Sequence, residues 1–196
     1  GEGWETVGQA PADSAGYTVL PYLPAELSWC VWQYFKSPES GNPLFQQYIQ
    51  PWLGNDRARF QLPLPGEAID NQVLLLRALD TPSAELALEA LGAESGALEA
   101  YSFQLFTIRQ FFAEGLLKPL GAAISNPYMV VLGDYVAVSA SRVALEQTAN
   151  AYLLSQHSAA QPPLQSVSSR VASPTAAASL FLNWRSSRGQ LGEWLQ

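Results

Sequence analysis

Histidine and cysteine each occur once in the 196 residues, as His157 and Cys30. A lone cysteine excludes an internal disulfide and every multi-cysteine metal site, and one distant histidine cannot complete the usual zinc or transition-metal ligand sets. Cys30 sits between Trp29 and Val31 with no base beside it, so it reads as a small apolar core side chain and not as a reactive thiol. His157 falls in a polar connection after a helical pattern, where an exposed loop residue or a helix-terminal charge is the expectation.

Charge is also scarce. Only 14% of residues are charged against 48% hydrophobic, so the surface must draw on Ser, Gln, Asn and Ala. The net charge of −7 argues against nucleic acid as a partner. Residues 1–56 carry Lys36 against six acids, whereas residues 157–196 carry Arg170, Arg185 and Arg188 against Glu193. Three scattered arginines do not make a polybasic patch and read as a solvated surface. No apolar run reaches the length of about eighteen residues that a membrane-crossing helix needs.

The sequence lacks Gly-x-Ser-x-Gly, Gly-x-x-x-x-Gly-Lys and a Gly-x-Gly-x-x-Gly turn between strand and helix, so neither a hydrolase elbow nor a phosphate loop is indicated. Ser139, His157 and Asp134 can be drawn as a triad, but no spacing fixes its geometry. Asp56, Glu67 and Asp70 could ligate calcium, yet they match no spaced loop motif and read as strand-flanking acids in solvent. No cofactor is indicated. Among the six tryptophans, Trp29, Trp32 and Trp52 are expected in the core or at its rim. Trp184 and Trp194, near the chain end, are the candidate partner contacts.

What the chain has in quantity is secondary-structure grammar. Tyr128–Leu132 and Tyr135–Ser139 flank Gly133-Asp134 and predict a hairpin, because Gly133 tolerates positive φ and both flanks are β-branched or aromatic. Ser141 then caps a helix whose Leu145, Thr148, Ala149 and Tyr152 share one face. Upstream, residues 27–35 alternate as a strand, with a helix after Pro24 as the alternative, and Asn42-Pro43 opens a helix with Leu44, Phe45, Tyr48 and Ile49 that closes at Pro51 and Gly54. Arg57-Ala58-Arg59-Phe60-Gln61-Leu62 alternates polar and apolar as a half-buried strand with one wet face.

Residues 71–79 predict a buried strand. Thr81-Pro82 opens a helix with Leu86, Leu88 and Leu91 that ends at Gly92. Tyr101, Phe103 and Leu105 predict a strand, and Phe111, Phe112, Leu116 and Leu117 a short helix stopping near Lys118-Pro119. After a polar connection, Pro163 starts a short helix through Val171, and residues 179–184 form a last strand.

This order is an α+β pattern, a mainly antiparallel sheet with helices packed on one face. Leu74–Leu91 and Tyr135–Tyr152 echo each other as strand, cap and helix, through a weak duplication or through common supersecondary grammar, the favoured reading. Residues 1–24 are expected as an extended lead-in, 25–185 as a single domain, and 186–196 as a tail leading into further protein. The start at Gly1-Glu2-Gly3-Trp4, without methionine, raises the expectation that a leader or anchor precedes it.

Residues 116–152, above all Pro127-Tyr128 through Gly133-Asp134-Tyr135 to Ser139-x-Ser141 and Leu145-Glu146, resemble the bacterial envelope family known as domain of unknown function three-three-five-two. Residues 45–56, ending Trp52-Leu53-Gly54-Asn55-Asp56, and residues 178–184 fit the same resemblance, with Asn55-Asp56 where the family has Gly-Glu. The resemblance implies an extracytoplasmic protein, secreted or membrane-anchored, and carries over no catalytic residue. The expected function is therefore a non-enzymatic binding or scaffolding module for an unknown protein or envelope component, or for its own neighbouring domain. The alternative is a two-carboxylate hydrolase of cell-wall or polysaccharide material, with two acids about 5–9.5 Å apart in a cleft.

Overall fold

The Gly133-Asp134 hairpin and the strand at residues 71–79 lie side by side at the centre of one sheet. The fold, a computed structural model, is described for residues 19–24, 27–35, 38–65, 71–157 and 178–182. Its strands are β1 (Trp29–Tyr34), β2 (Leu53–Gln61), β3 (Gln72–Ala78), β4 (Ala97–Phe103), β5 (Phe106–Phe111), β6 (Tyr128–Leu132), β7 (Tyr135–Ser139) and β8 (Ala178–Leu182). The helices are α1 (Pro43–Tyr48), α2 (Thr81–Ser95) and α3 (Arg142–His157), with short 3-10 turns at Leu20–Tyr22 and Lys118–Leu120. All strand pairings are antiparallel, in the order β4-β5-β6-β7-β3-β2-β1-β8. The α+β class with an antiparallel sheet is thus what the structure shows.

The helices do not share one face, which corrects the sequence expectation. On one side Cys30, Trp32, Ala58, Phe60, Val73, Leu75 and Ala137 pack with Ala144, Leu145 and Ala149 of α3 and with Tyr22 and Leu23. On the other, Leu74, Leu76, Val136 and Val138 pack with Phe45 and Ile49 of α1, Leu88 and Leu91 of α2, and Leu116 and Leu117. The physical reason was present in the sequence: Val73-Leu74-Leu75-Leu76 and Tyr135-Val136-Ala137-Val138 do not alternate, and strands apolar on both faces need cover on both. Each fully buried Leu or Val contributes roughly 1.5–3 kcal/mol, more than a single-sided cover would collect from these strands. The two echoing units, β3–α2 and β7–α3, lie antiparallel side by side and deliver their helices to opposite faces.

Local chemistry explains the ends of the helices. Asn42 Oδ1 accepts from the Leu44 and Phe45 N–H groups at 3.0 and 3.2 Å, and Pro43 occupies the first turn. Ser141 Oγ accepts from the Ala144 N–H at 3.2 Å, as expected of a cap. Helix α2 runs through Gly92 to Ser95 and stops at Gly96, whose φ of 76° an L side chain resists. Leu88 and Leu91 point to the core, but Leu86 is 67% exposed. Leu79, expected in the strand, is also exposed, since β3 ends at Ala78.

Residues 111–117 are not a helix. Phe111 ends strand β5, and Leu116 and Leu117 are buried in turns that lead into Lys118–Leu120. Strand β5 escaped the sequence reading because its hairpin with β4 turns on Gln104-Leu105, where Gln104 adopts φ 54° without a glycine to announce it. Leu105 is therefore an exposed turn residue and not part of the strand. Within the expected lead-in, Leu20–Tyr22 form a 3-10 turn, and Val19, Tyr22 and Leu23 join the core. The expected helix 163–171 and residues 183–184 of the last strand lie outside the described residues.

Candidate functional site

Strands β1 and β2 leave one stretch of sheet face that α1 and α2 do not fill. The register pairs Val31 with Arg59 and Gln33 with Arg57, so these side chains share a face with Trp29, opposite to the face that buries Cys30, Trp32, Ala58 and Phe60. Leu120 and Gly121 form the opposite wall, and the cleft between them has a volume of about 330 Å³. The wall curls inward because Gly121 closes the 3-10 turn at φ 68°, returning its N–H to the Lys118 carbonyl.

The two arginines define the chemistry. Arg57 donates from Nη1 to the Leu120 carbonyl at 2.6 Å, and its guanidinium lies 4.9 Å from the Phe35 ring centroid. With the Gln33 carboxamide oxygen turned toward it, Arg57 also donates from Nε and Nη2 at 3.1 and 2.7 Å. Arg59 donates from Nη2 to the Gly121 carbonyl at 3.1 Å. Every one of these partners is neutral, and among the described residues neither arginine is paired with a carboxylate. Burial, and secondarily the Arg59 charge, lower the pKa of Arg57 from its ordinary value. The two arginines stand at i and i+2 on one strand face, with Cα atoms about 7 Å apart, and cations whose described partners are all neutral are chemically suited to an oxyanion.

The other arginines among the described residues are compensated. Arg109 pairs with Glu85 at 3.3 Å, and Arg142 with Glu146 and Glu99 at 2.8 and 3.4 Å. Arg77 pairs with Asp134 at 3.2 Å and lies 5.3 Å from the Tyr135 ring centroid. Asp56, the calcium candidate, accepts from the Tyr135 hydroxyl and from Trp32 Nε1 at 3.5 Å on the α3 side of the sheet, so its oxygens tie the core together. Glu67 and Asp70 lie outside the described residues.

The imagined triad does not assemble. Ser139 and Asp134 stand at opposite ends of strand β7, roughly 17 Å apart by strand rise. The Ser139 hydroxyl donates to the Gln72 carbonyl at 2.7 Å and accepts from the Ser141 N–H at 3.1 Å. Cys30 is fully buried and burial pushes its thiol pKa up, consistent with an inert core side chain. Among the described residues no carboxylate lines the cleft, so these residues offer it no pair of acids for glycoside cleavage.

Trp32 and Trp52 are buried, and Trp29 sits at the rim of the cleft, as read for these three tryptophans. Trp184 and Trp194 lie outside the described residues, as does the side chain of His157. Arg57 and Arg59 were read only as the wet side of a strand. The missed signal was two arginines at i, i+2 on one face, with Asp56 displaced to the other by the same alternation. No helix among the described residues is long and apolar enough to cross a membrane. Neither a protein-family model, nor a curated protein, nor a solved structure matches the chain.

Proposed function

We propose that this chain is a non-enzymatic binding module whose ligand presents a carboxylate or phosphate to Arg57 and Arg59. The supporting observation is the pair of arginines, with neutral partners only among the described residues, lining a cleft of about 330 Å³ beside Trp29 and Val31. That volume suits a small group or one residue of a larger partner. The surrounding chain carries a net charge of −7, so it repels polyanions and favours a ligand with one or two charges set on an apolar body. The described lining of the cleft supplies neither nucleophile nor base, which favours binding over the hydrolase alternative.

Calorimetric titration with inorganic phosphate and, separately, with benzoate tests this reading. Wild-type protein is expected to bind at least one of them with a Kd near millimolar, weakening with salt. Arg59→Ala, which removes the less embedded cation, is expected to weaken binding about tenfold or more. No heat from either probe, or binding indifferent to Arg59→Ala, overturns the assignment. An extracytoplasmic location rests on the family resemblance alone, and fractionating cells of the source organism checks it.

A further inference from the structure

The polar groups of the cleft sort by side. From the sheet come N–H donors: Arg57 spends three of its five N–H groups, one on the Leu120 carbonyl and two on the Gln33 carboxamide oxygen, whereas Arg59 spends one, on the Gly121 carbonyl. Whichever Nη2 hydrogen Gly121 takes, one whole edge of the Arg59 guanidinium stays uncommitted among the described residues, either Nε with Nη2 or Nη1 with Nη2. The opposite wall offers only acceptors. Its own N–H groups are spent inside the turn, Leu120 on the Leu117 carbonyl and Gly121 on the Lys118 carbonyl, both at 2.9 Å.

This asymmetry separates the two anion classes. A carboxylate sets both oxygens on one guanidinium edge in two parallel hydrogen bonds and leaves no charged oxygen facing the wall. A phosphate brings further oxygens, some of them charged, which here meet the Leu120 and Gly121 carbonyl oxygens and none of the backbone N–H groups that line a phosphate-binding nest. The net charge of −7 penalises a dianion more than a monoanion.

The apolar part of the cleft lies to one side of Arg59. Val31 pairs with Arg59 across the strands and Gln33 with Arg57, while Trp29 stands two residues the other way, about 7 Å by strand rise. We infer, on the reading of the cleft as an anion site, that its ligand is an aromatic monocarboxylate, with the carboxylate bidentate on Arg59 and the ring over Val31 against the Trp29 indole. Arg57, fixed by Gln33 and Leu120, is the second charge behind it. A ring one or two bonds from its carboxylate spans about 7 Å, and its contact with the indole is what a short aliphatic acid lacks. The volume of about 330 Å³ is at the small end of ligand cavities and takes one ring system, not an oligomer.

Calorimetric competition on the full chain at constant ionic strength ranks phenylacetate, acetate and inorganic phosphate. Phenylacetate is expected to bind about tenfold or more tightly than either of the others. Trp29→Ala is expected to remove the margin over acetate while leaving acetate itself unchanged. Arg59→Lys, which keeps the charge and loses the planar fork, is expected to weaken phenylacetate about tenfold. Phosphate bound as tightly as phenylacetate, a margin over acetate that survives Trp29→Ala, or an Arg59→Lys variant without effect overturns the inference; the anion site itself stands so long as Arg59→Ala still weakens binding. If no probe binds, or Arg59→Ala changes nothing, the anion site falls and the inference with it. Should Trp29→Ala fail to fold, the wild-type ranking and Arg59→Lys decide.

Discussion

Gly133→Ala isolates what the central hairpin demands of its turn. Gly133 has φ 52°, and a Cβ built on it would collide with the Tyr152 hydroxyl and stand 2.8 Å from the Tyr22 hydroxyl. Neither ring can swing aside freely. Tyr22 and Tyr152 are stacked at 4.8 Å with planes 8° apart, Tyr22 meets Tyr135 edge-on at 4.8 Å, and the Tyr22 hydroxyl accepts from the Asp134 N–H at 3.1 Å. The left-handed backbone costs an alanine about 1–2 kcal/mol, and forcing the rings apart about 1–3 kcal/mol more. The expected loss is therefore about 2–5 kcal/mol, read from urea midpoints at constant m value.

Gly121→Ala supplies the reference. Its φ of 68° and ψ of 24° lie in the left-handed region and nothing lies within 4 Å of the added Cβ, so only the backbone cost of about 1–2 kcal/mol remains. Tyr152→Phe removes the nearest atom of the collision and is expected to recover about 1 kcal/mol in the Gly133→Ala background. Equal losses at Gly133 and Gly121, or no recovery with Tyr152→Phe, would falsify the claim that Gly133 is needed for space as well as for φ.

Asn42→Ala removes the oxygen that serves the first turn of α1 and is expected to cost about 1 kcal/mol of stability by urea denaturation. Trp52→Ala empties a fully buried site whose Nε1 donates to the Tyr48 carbonyl at 2.5 Å, and should cost about 3–5 kcal/mol in the same assay. Burial raises the Tyr22 pKa from 10.0 to about 12, so its contribution to stability is complete below pH 10 and is lost as pH rises toward 12. Tyr22→Phe should therefore flatten the fall of the urea midpoint across that alkaline window, and an unchanged slope would count against a buried, protonated Tyr22.

The sequence was most legible where a local rule sufficed. Asn42-Pro43, Ser141 and Gly133 each act on neighbours within a few residues, and the structure bears out all three. It was least legible where a distant partner decides. Leu86 carries the same hydropathy as Leu88, but its turn of α2 faces solvent, so composition alone assigned it to the core. Strand β5 went unread because the Gln104 turn has no glycine, and its last residue, Phe111, was assigned to a helix because Phe111, Phe112, Leu116 and Leu117 fit a 3.6-residue period by accident. Helix placement on both faces was readable in the unbroken apolar runs of β3 and β7, which the alternation of Arg57–Leu62 had overshadowed.

That same alternation locates the candidate site. Strands buried on both faces cannot display a charged side chain, so β3 and β7, the sheet centre, are closed to ligand chemistry except at their ends. Strand β2 keeps Ala58 and Phe60 for the α3 face and turns Arg57 and Arg59 to the face where α1, α2 and the Lys118–Leu120 turn leave a gap. If the arginines served only to wet that gap, a compensating acid would be the expected neighbour on β1, as Glu85 is for Arg109. Among the described residues Gln33, Val31 and Trp29 stand there instead, and the remaining contacts are carbonyl oxygens and the Phe35 ring. Neutral partners orient a guanidinium without discharging it, and a partly desolvated cation pair left uncompensated is stabilised by whatever anion enters. The candidate site thus follows from which strand the helices fail to cover, and the proposed ligand class from the sign of the charge left there.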